Sequence, residues 1–550
     1  NRYWTMRGRE LHYQNGFDCQ GLWVEVEVEK ELGLKSKKDI ENLDKGGVEK
    51  SIAKFVDLCK KRVYKYAGIQ TEQSKRLGYF MDWDNSYYTL SDANNYMIWH
   101  FLKKCHEKGL IYKGRDSVPW CPRCGTAISQ HEMLTEDYKE LTHEALFIAY
   151  PIDKKDNEYL LIWTTTPWTL PANVAVAVDP KITYVLGSPK DSKKKYYLSE
   201  RVANSLGFEI LKKVKGDDLI GLTYKSPFDN LPRVKKAFAK EKHRVVASDE
   251  RLLTVSEEEG TGLVHIATGA GTEDFALGKK EKLPIVEVID EEANYLDGLG
   301  DFTGKNAKND PNIIIDYLEK EGSLFKKENY KHRYPACWRC KTELVWRVVD
   351  EWYIAIDPVR EDMKKVTKKI RWIPSFGLKR ELDWLDNMHD WLISKKRYWG
   401  LALPIWECKK CGNFEVIGSK EELKKEAVEG WKEFKGNSPH RPWVDEVKIK
   451  CKKCGETCSR IPDVGNPWLD AGIVSFSTIS ADNKSEPLFL KDKKEWEKWF
   501  PADFITESFP GQFKNWFYSL IAMSTVLDPW LCHSLGGRWP TNAQELGKHD

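Results

Sequence analysis

The spacing of apolar positions changes along this chain, and the changes predict where one kind of structure gives way to another. Up to about residue 140, short apolar runs alternate with helical periods. After Ser91, a residue suited to cap a helix N-terminus, Ile98, Phe101, Leu102 and Cys105 stand at i, i+3, i+4 and i+7, so they share one face of a helix ending near Gly109. From about 141 to 330 the runs become strand-like. E-Y-L-L-I-W-T-T-T, V-A-V-A-V, I-T-Y-V-L and G-L-V-H-I-A are separated by Gly, Pro and Asp turns, a β-rich texture. Beyond about 331 the two patterns mix and the chain ends rich in Trp and Phe, with no internal repeat or low-complexity linker.

Four C-x-x-C pairs punctuate this pattern: Cys121/Cys124, Cys337/Cys340, Cys408/Cys411 and Cys451/Cys454, eight of the 13 cysteines. Each pair sets two thiolates on one tight knuckle, and two knuckles supply the four sulfurs of a structural Zn²⁺ site, so two zinc sites are expected. Cys408/Cys411 and Cys451/Cys454 lie about forty residues apart and would close a local ribbon at about 404–465. The other two pairs lie more than two hundred residues apart. If they share an ion, the segment between them leaves a parent domain and returns beside its own exit. The expected division is therefore 1–140 with the first knuckle, an inserted domain at 141–330, and 331–550 with the ribbon. Cys458 competes with a member of the second quartet. Disulfides are the weaker reading, because no signal-like segment opens the chain and Cys19, Cys59, Cys105 and Cys532 look like ordinary reduced thiols.

Length and composition narrow the class. A chain of 550 residues exceeds what one core serves, which suggests about three domains, and 41% hydrophobic with 31% charged residues is a globular composition. No apolar run approaches the ~20 residues that span a bilayer, so no membrane association and a cytoplasmic location are expected. The net charge of +3 hides lysine runs at Lys193 to Lys195, Lys409/Lys410 and Lys452/Lys453, which beside zinc knuckles suit a polyanion. Among 23 tryptophans, Trp163, Trp168, Trp399, Trp468 and Trp516 occur in short polar contexts and are candidate pocket walls. The first residue is Asn1, so a fragment is expected.

Two segments carry candidate chemistry. In W-T-T-T-P-W-T-L-P-A-N, Thr164, Thr165 and Thr166 alternate sides if extended, so at least two hydroxyls can face one cleft and hold a water or an ester, while Pro167 fixes the turn. In G-T-G-L-V-H-I-A-T-G-A-G-T-E-D, His265 ends an apolar strand and Asp274 follows a glycine-rich turn. The glycines permit close backbone approach, His265 offers size and polarity discrimination, and Asp274 can pair with an ammonium.

These segments together resemble the editing domain of class I aminoacyl-tRNA synthetases for branched aliphatic amino acids. G-F-D-C-Q-G-L (Gly16 to Leu22), I-S-K-K-R-Y-W-G (Ile393 to Gly400), N-P-W-L-D-A-G (Asn466 to Gly472) and F-P-A-D-F-I-T-E-S-F-P-G-Q-F-K-N-W-F-Y (Phe500 to Tyr518) are similar to blocks of the isoleucyl family in that family's order. The resemblance implies an α/β fold: an incomplete Rossmann-type catalytic core interrupted by a β-rich editing domain. It implies isoleucine–tRNA ligase activity with ATP and Mg²⁺, tRNA(Ile) and isoleucine as partners, hydrolysis of mischarged valyl-tRNA, and a monomer. Asp18 and Gln512 would hold the substrate ammonium, Trp468 and Trp516 would wall its side chain, and Glu507 would contact the adenosine. In the editing pocket, Thr165 and Thr166 would line the hydrolytic site with Asn173 nearby, His265 would limit side-chain size, and Asp274 would bind the α-ammonium. Thr268 stands where a proline is usual and Ala270 where a histidine is common. The family's H-I-G-H and K-M-S-K-S motifs do not occur, and Asp528 to Asp550 does not resemble the family, so the expectation is a fragment unable to activate isoleucine alone. The rival readings are a valyl enzyme, against which Cys19-Gln20 argues, a free-standing aminoacyl-tRNA deacylase, and a non-catalytic zinc-ribbon RNA-binding protein.

Overall fold

The computed structural model describes residues 1–128, 138–256, 260–480, 486–509 and 511–527. Cys532 and the divergent tail from Asp528 lie outside the described residues. The chain divides into two compact units, Asn1–Gly114 with Glu351–Asp550, and Arg115–Asp350.

In the first unit, a parallel pair of strands, Gln14–Phe17 and Asp82–Tyr88, is joined through the helices Leu22–Leu32 and Val48–Arg76. Parallel neighbours require such a crossover, and it is the connection expected of a Rossmann-type core. Gly16 lies opposite Tyr87, and a Cβ on Gly16 would fall 2.0 Å from the Tyr87 ring, so only glycine fits there. The predicted helix is Asp92–Glu107: the Ser91 hydroxyl accepts the Asn94 N–H at 3.3 Å, Gly109 takes φ 69°, and Ile98, Phe101, Leu102 and Cys105 are all buried. That face packs into a core with Trp352, Trp391, Trp406 and Trp496. The predicted ribbon is a five-stranded antiparallel sheet in the order Phe414–Val416, Ile405–Glu407, Thr457–Arg460, Lys448–Lys450, Ala427–Glu429.

The second unit carries a nine-stranded mixed sheet. Glu158–Thr164 is its hub, pairing antiparallel with Tyr138–Pro151 and parallel with both Lys195–Ser199 and Val264–Ile266. The predicted apolar runs are strands here, including Ala175–Val178, Thr183–Ser188 and Val264–Ile266. Tyr138–Pro151 also pairs along its length with Leu324–Pro335, from Ile148↔Leu324 to Tyr138↔Pro335. This ladder leads directly to Cys337. The unit therefore extends beyond the 141–330 stretch expected from texture, to Arg115 and Asp350, and Cys121, Cys124, Cys337 and Cys340 all fall inside it. Its boundaries lie within the strands Ile111–Cys121 and Val345–Ile354, where no break in apolar pattern marks them. Among the described residues no helix is long and apolar enough to cross a membrane.

Candidate functional site

In the first unit both parallel strands end at one place, and the residues just beyond them, Asp18 to Gln20 and Thr89, form its floor. Asp18 is open to solvent, although protein surrounds it on most sides and raises its carboxyl above the usual range; the Gln20 N–H and the Thr89 hydroxyl oppose that rise. Access of water keeps the Asp18 charge available to a cation. Gln20 is fully buried. Its Nε2 lies 3.0 Å from the Thr89 carbonyl, 3.0 Å from Asn95 Oδ1 and 2.6 Å from Asp470 Oδ1, while its Oε1 accepts from His440 Nε2 at 2.9 Å. Burial pushes the His440 ring down to about 3, so it is neutral, and Trp399 stacks on it at 5.0 Å. Burial first, and the Asp18 charge second, hold Asp470 well above the ordinary carboxylate range. Burial thus biases Asp470 toward its neutral form, and Asp18 is the carboxylate of the pair that solvent, or an ammonium, can reach.

Gln20–Asp470 joins the Asp18 segment to the helix Pro467–Gly472, and Gly21 permits the approach: it has φ 117°, and a Cβ would lie 2.8 Å from Pro467 Cγ. Asn466 caps that helix through the Trp468 N–H at 3.0 Å. Trp516 donates its indole N–H to the Ala471 carbonyl at 3.0 Å, so both expected wall residues are fixed against the same short helix. Gln512 accepts the Trp516 N–H at 3.4 Å, and Glu507 accepts the neighbouring Ser508 N–H at 3.0 Å. Neither is hydrogen-bonded to Asp18 among the described residues. Trp399, expected as a pocket wall, is core instead: it is fully buried and donates to the Cys19 carbonyl at 3.0 Å. Arg397, in the same motif, is buried between Glu25 and Glu29, and Glu25 also accepts the N–H groups of Tyr398 and Trp399 at 2.9 and 2.8 Å. This ion cluster anchors the motif to the helix Leu22–Leu32.

A second constellation lies in the other unit. The strand Glu158–Thr164 stops at Thr164, and a 3₁₀ turn, Pro167–Ala172, follows. The two hydroxyls that share a side are Thr164 and Thr166, 3.2 Å apart; Thr165 makes no hydrogen bond among the described residues. His265 is buried, with Nδ1 2.8 Å from Asn173 Nδ2 and Nε2 3.1 Å from Thr169 Oγ1. Burial lowers its ring to about 4. Asp274, in the first turn of the helix Thr272–Glu281, accepts the Ala267 N–H at 2.7 Å, which ties that turn to the end of the His265 strand. Burial raises the Asp274 carboxyl to about 7. Thr268 is buried and donates to the Pro284 carbonyl at 2.7 Å. Thr169, inside the threonine-rich segment but given no role in the sequence, and Tyr224, which carried no motif, complete the hydrogen bonding here.

The cysteines gather as the spacing predicted. Cys121, Cys124, Cys337 and Cys340 form one quartet and Cys408, Cys411, Cys451 and Cys454 another, with sulfurs in each within 4.8 Å of one another. The Cys121–Cys340 and Cys408–Cys454 sulfurs are 3.4 and 3.5 Å apart. That is far from a disulfide bond of about 2.05 Å and close to the edge of roughly 3.8 Å expected for four sulfurs about 2.3 Å from a tetrahedral ion. Each knuckle closes alike: the residue after its second cysteine has positive φ and returns its N–H to the carbonyl of the first cysteine. These residues are Gly125, Lys341, Gly412 and Gly455, with bonds of 2.8, 2.7, 2.9 and 2.8 Å. Both donor sets could hold zinc. Cys458 belongs to neither quartet.

Residues 1–529 match the family model for tRNA synthetases class I (I, L, M and V). The isoleucine–tRNA ligase of Methanopyrus kandleri is 38% identical over 565 residues, covering 96% of this chain and 50% of that protein. Those of Saccharolobus solfataricus and Methanothermobacter thermautotrophicus are 36% identical over 534 residues and 38% over 529, again covering 96% of this chain and 51% and 48% of theirs. The chain spans about half the length of the curated relatives it matches.

Proposed function

This chain belongs to the class I tRNA synthetases of the I, L, M and V group, and from that premise we propose that it is part of an isoleucine–tRNA ligase whose second unit hydrolyses valyl-tRNA(Ile). The observation that carries the amino-acid assignment is the floor of the first site, where Asp18 offers one accessible charge and the buried Gln20 bridges to the tryptophan-bearing helix Pro467–Gly472. Asp18 binds the α-ammonium. Trp468 and Trp516, rigid and held by backbone hydrogen bonds, bound an apolar slot for the aliphatic side chain at little entropic cost. Gln512 and Glu507 take up ammonium and adenosine contacts by leaving their local bonds when substrate arrives. The whole enzyme uses ATP and Mg²⁺ to form isoleucyl-adenylate and esterifies tRNA(Ile).

Such a site needs a second one. Isoleucine and valine differ by one methylene, worth about 1–3 kcal/mol or roughly 10- to 200-fold, a magnitude for which this enzyme family is the usual illustration. In the second unit Asp274 holds the α-ammonium of the misattached valine, Thr165 and Thr166 place the water and ester, and His265 leaves no room for the larger side chain. An ammonium drawn beside Asp274 favours its charged form and reverses the effect of burial. The two cysteine quartets hold structural Zn²⁺, which would pin the knuckles and take no part in the reaction.

Calorimetry of the chain with isoleucine, valine and leucine tests the first site. Isoleucine should bind most tightly, and Asp18→Asn should remove that binding. Equal affinities, or an unchanged Asp18→Asn variant, would refute the assignment.

A further inference from the structure

Around His265 the hydrogen bonds form a chain with one consistent set of protons. Tyr224 donates its phenol to Asn173 Oδ1 at 2.8 Å. The Asn173 amide nitrogen must therefore face the other way, and it donates to the Ala175 carbonyl at 3.0 Å and to His265 Nδ1 at 2.8 Å. Turning the amide over would set its oxygen against a carbonyl oxygen. On the far side of the ring, Thr169 donates its hydroxyl to the Thr166 carbonyl at 2.9 Å, so its oxygen is left to accept from His265 Nε2 at 3.1 Å. Asn173, Thr169, Tyr224 and His265 are all buried, where polar groups need hydrogen-bond partners, and these four supply them to one another.

Tyr224 is itself held from behind. Its ring stacks on Tyr150, at 5.2 Å and 8°, and packs against His243, at 5.3 Å, and His243 Nε2 is 2.7 Å from Asp229 Oδ1. The phenol cannot swing without breaking that stack.

We propose that Tyr224, acting through Asn173, is the positioning residue that fixes His265 as its neutral Nε2–H tautomer, with Thr169 receiving that proton's hydrogen bond. Both ring nitrogens are then committed to protein partners. His265 offers a substrate only ring carbon, so it serves as a gauge of side-chain size and neither accepts a proton from the attacking water nor donates one to the leaving ribose hydroxyl. This deepens the editing role proposed above and rests on it for its functional meaning, whereas the proton assignment rests on the hydrogen bonds alone.

The test is the tautomer itself, read from long-range ¹H–¹⁵N spectra of the full chain with labelled histidine, His265→Gln supplying the assignment. The wild type should show Nε2–H and an unprotonated Nδ1 at pH 7. Tyr224→Phe removes one of the two bonds that fix the Asn173 amide, the Ala175 carbonyl keeping the other, and should give a mixture of tautomers, with the ratio of valyl- to isoleucyl-tRNA deacylation lowered about tenfold. Asn173→Asp, which faces Nδ1 with an acceptor, should move the proton to Nδ1 and serves if Tyr224→Phe does not fold. Nδ1–H in the wild type, or an unchanged tautomer in the variants, would overturn the proposal. Absence of deacylation with the expected tautomers would instead refute the editing role and leave the positioning intact.

Discussion

Lys341 takes φ 61° at the knuckle position where Gly125, Gly412 and Gly455 serve the other three. A side chain in that conformation costs about 1 kcal/mol, so Lys341→Gly should stabilise the first knuckle by up to that amount, read as a higher unfolding midpoint, while Gly412→Ala should cost about as much. Asp274→Asn should slow valyl-tRNA deacylation 10- to 100-fold or so, the range expected for a charged hydrogen bond of about 1.5–3 kcal/mol, and should act mainly on KM. The cysteine pairs were legible in the sequence because their spacing announces them; a glycine-rich turn marked His265 and Asp274 as candidates, and Asp18 was named only through the family resemblance. Tyr224 and His440 were not legible as site residues, and Gln20 and Thr169 stood inside quoted motifs without a site role. Their meaning comes from partners far along the chain, as in Gln20–Asp470, and no local spacing encodes that.

Elements were read well where one face is buried and poorly where a boundary has no local mark. The helix Asp92–Glu107 and the strands of the second unit follow their apolar periods, but Glu158–Thr164 ends earlier than its run of threonines suggests because Pro167 opens a turn. The helix Phe376–Asn387 holds a feature that no pattern revealed. Glu381 is fully buried on it, and among the described residues neither carboxylate oxygen has a hydrogen-bond partner. Burial alone raises this carboxyl from 4.5 to about 8. A raised acid pKa gives stability that is complete below the unfolded value and is lost as pH climbs to the folded one, so this helix should weaken between about pH 4.5 and 8. Glu381→Gln should be nearly neutral at pH 5 and stabilising by a few kcal/mol at pH 8.5, measured by urea unfolding. For the knuckles, metal analysis should find two zinc ions per chain. Cys408→Ser should lose one and Cys458→Ser neither; a single ion in the wild type would contradict the pairing.

At the scale of the molecule, the distant cysteine pairs led to the expectation of an inserted unit at 141–330, and the chain divides instead at Arg115 and Asp350. The ladder between Tyr138–Pro151 and Leu324–Pro335 explains the difference: it carries the inserted sheet to the first quartet, so the knuckles belong with what they close. Asp18, Trp468 and Trp516 lie in one unit and His265 and Asp274 in the other. On the proposed function, each unit would discriminate amino acids by a different criterion, the first by a fitted slot and the second by exclusion. The most direct measurement is hydrolysis of valyl-tRNA(Ile) against isoleucyl-tRNA(Ile) by the 550-residue chain. Valine should be released about 100-fold faster than isoleucine, with the difference lost in Asp274→Ala; equal rates for the two esters, or no acceleration over spontaneous hydrolysis, would contradict the account.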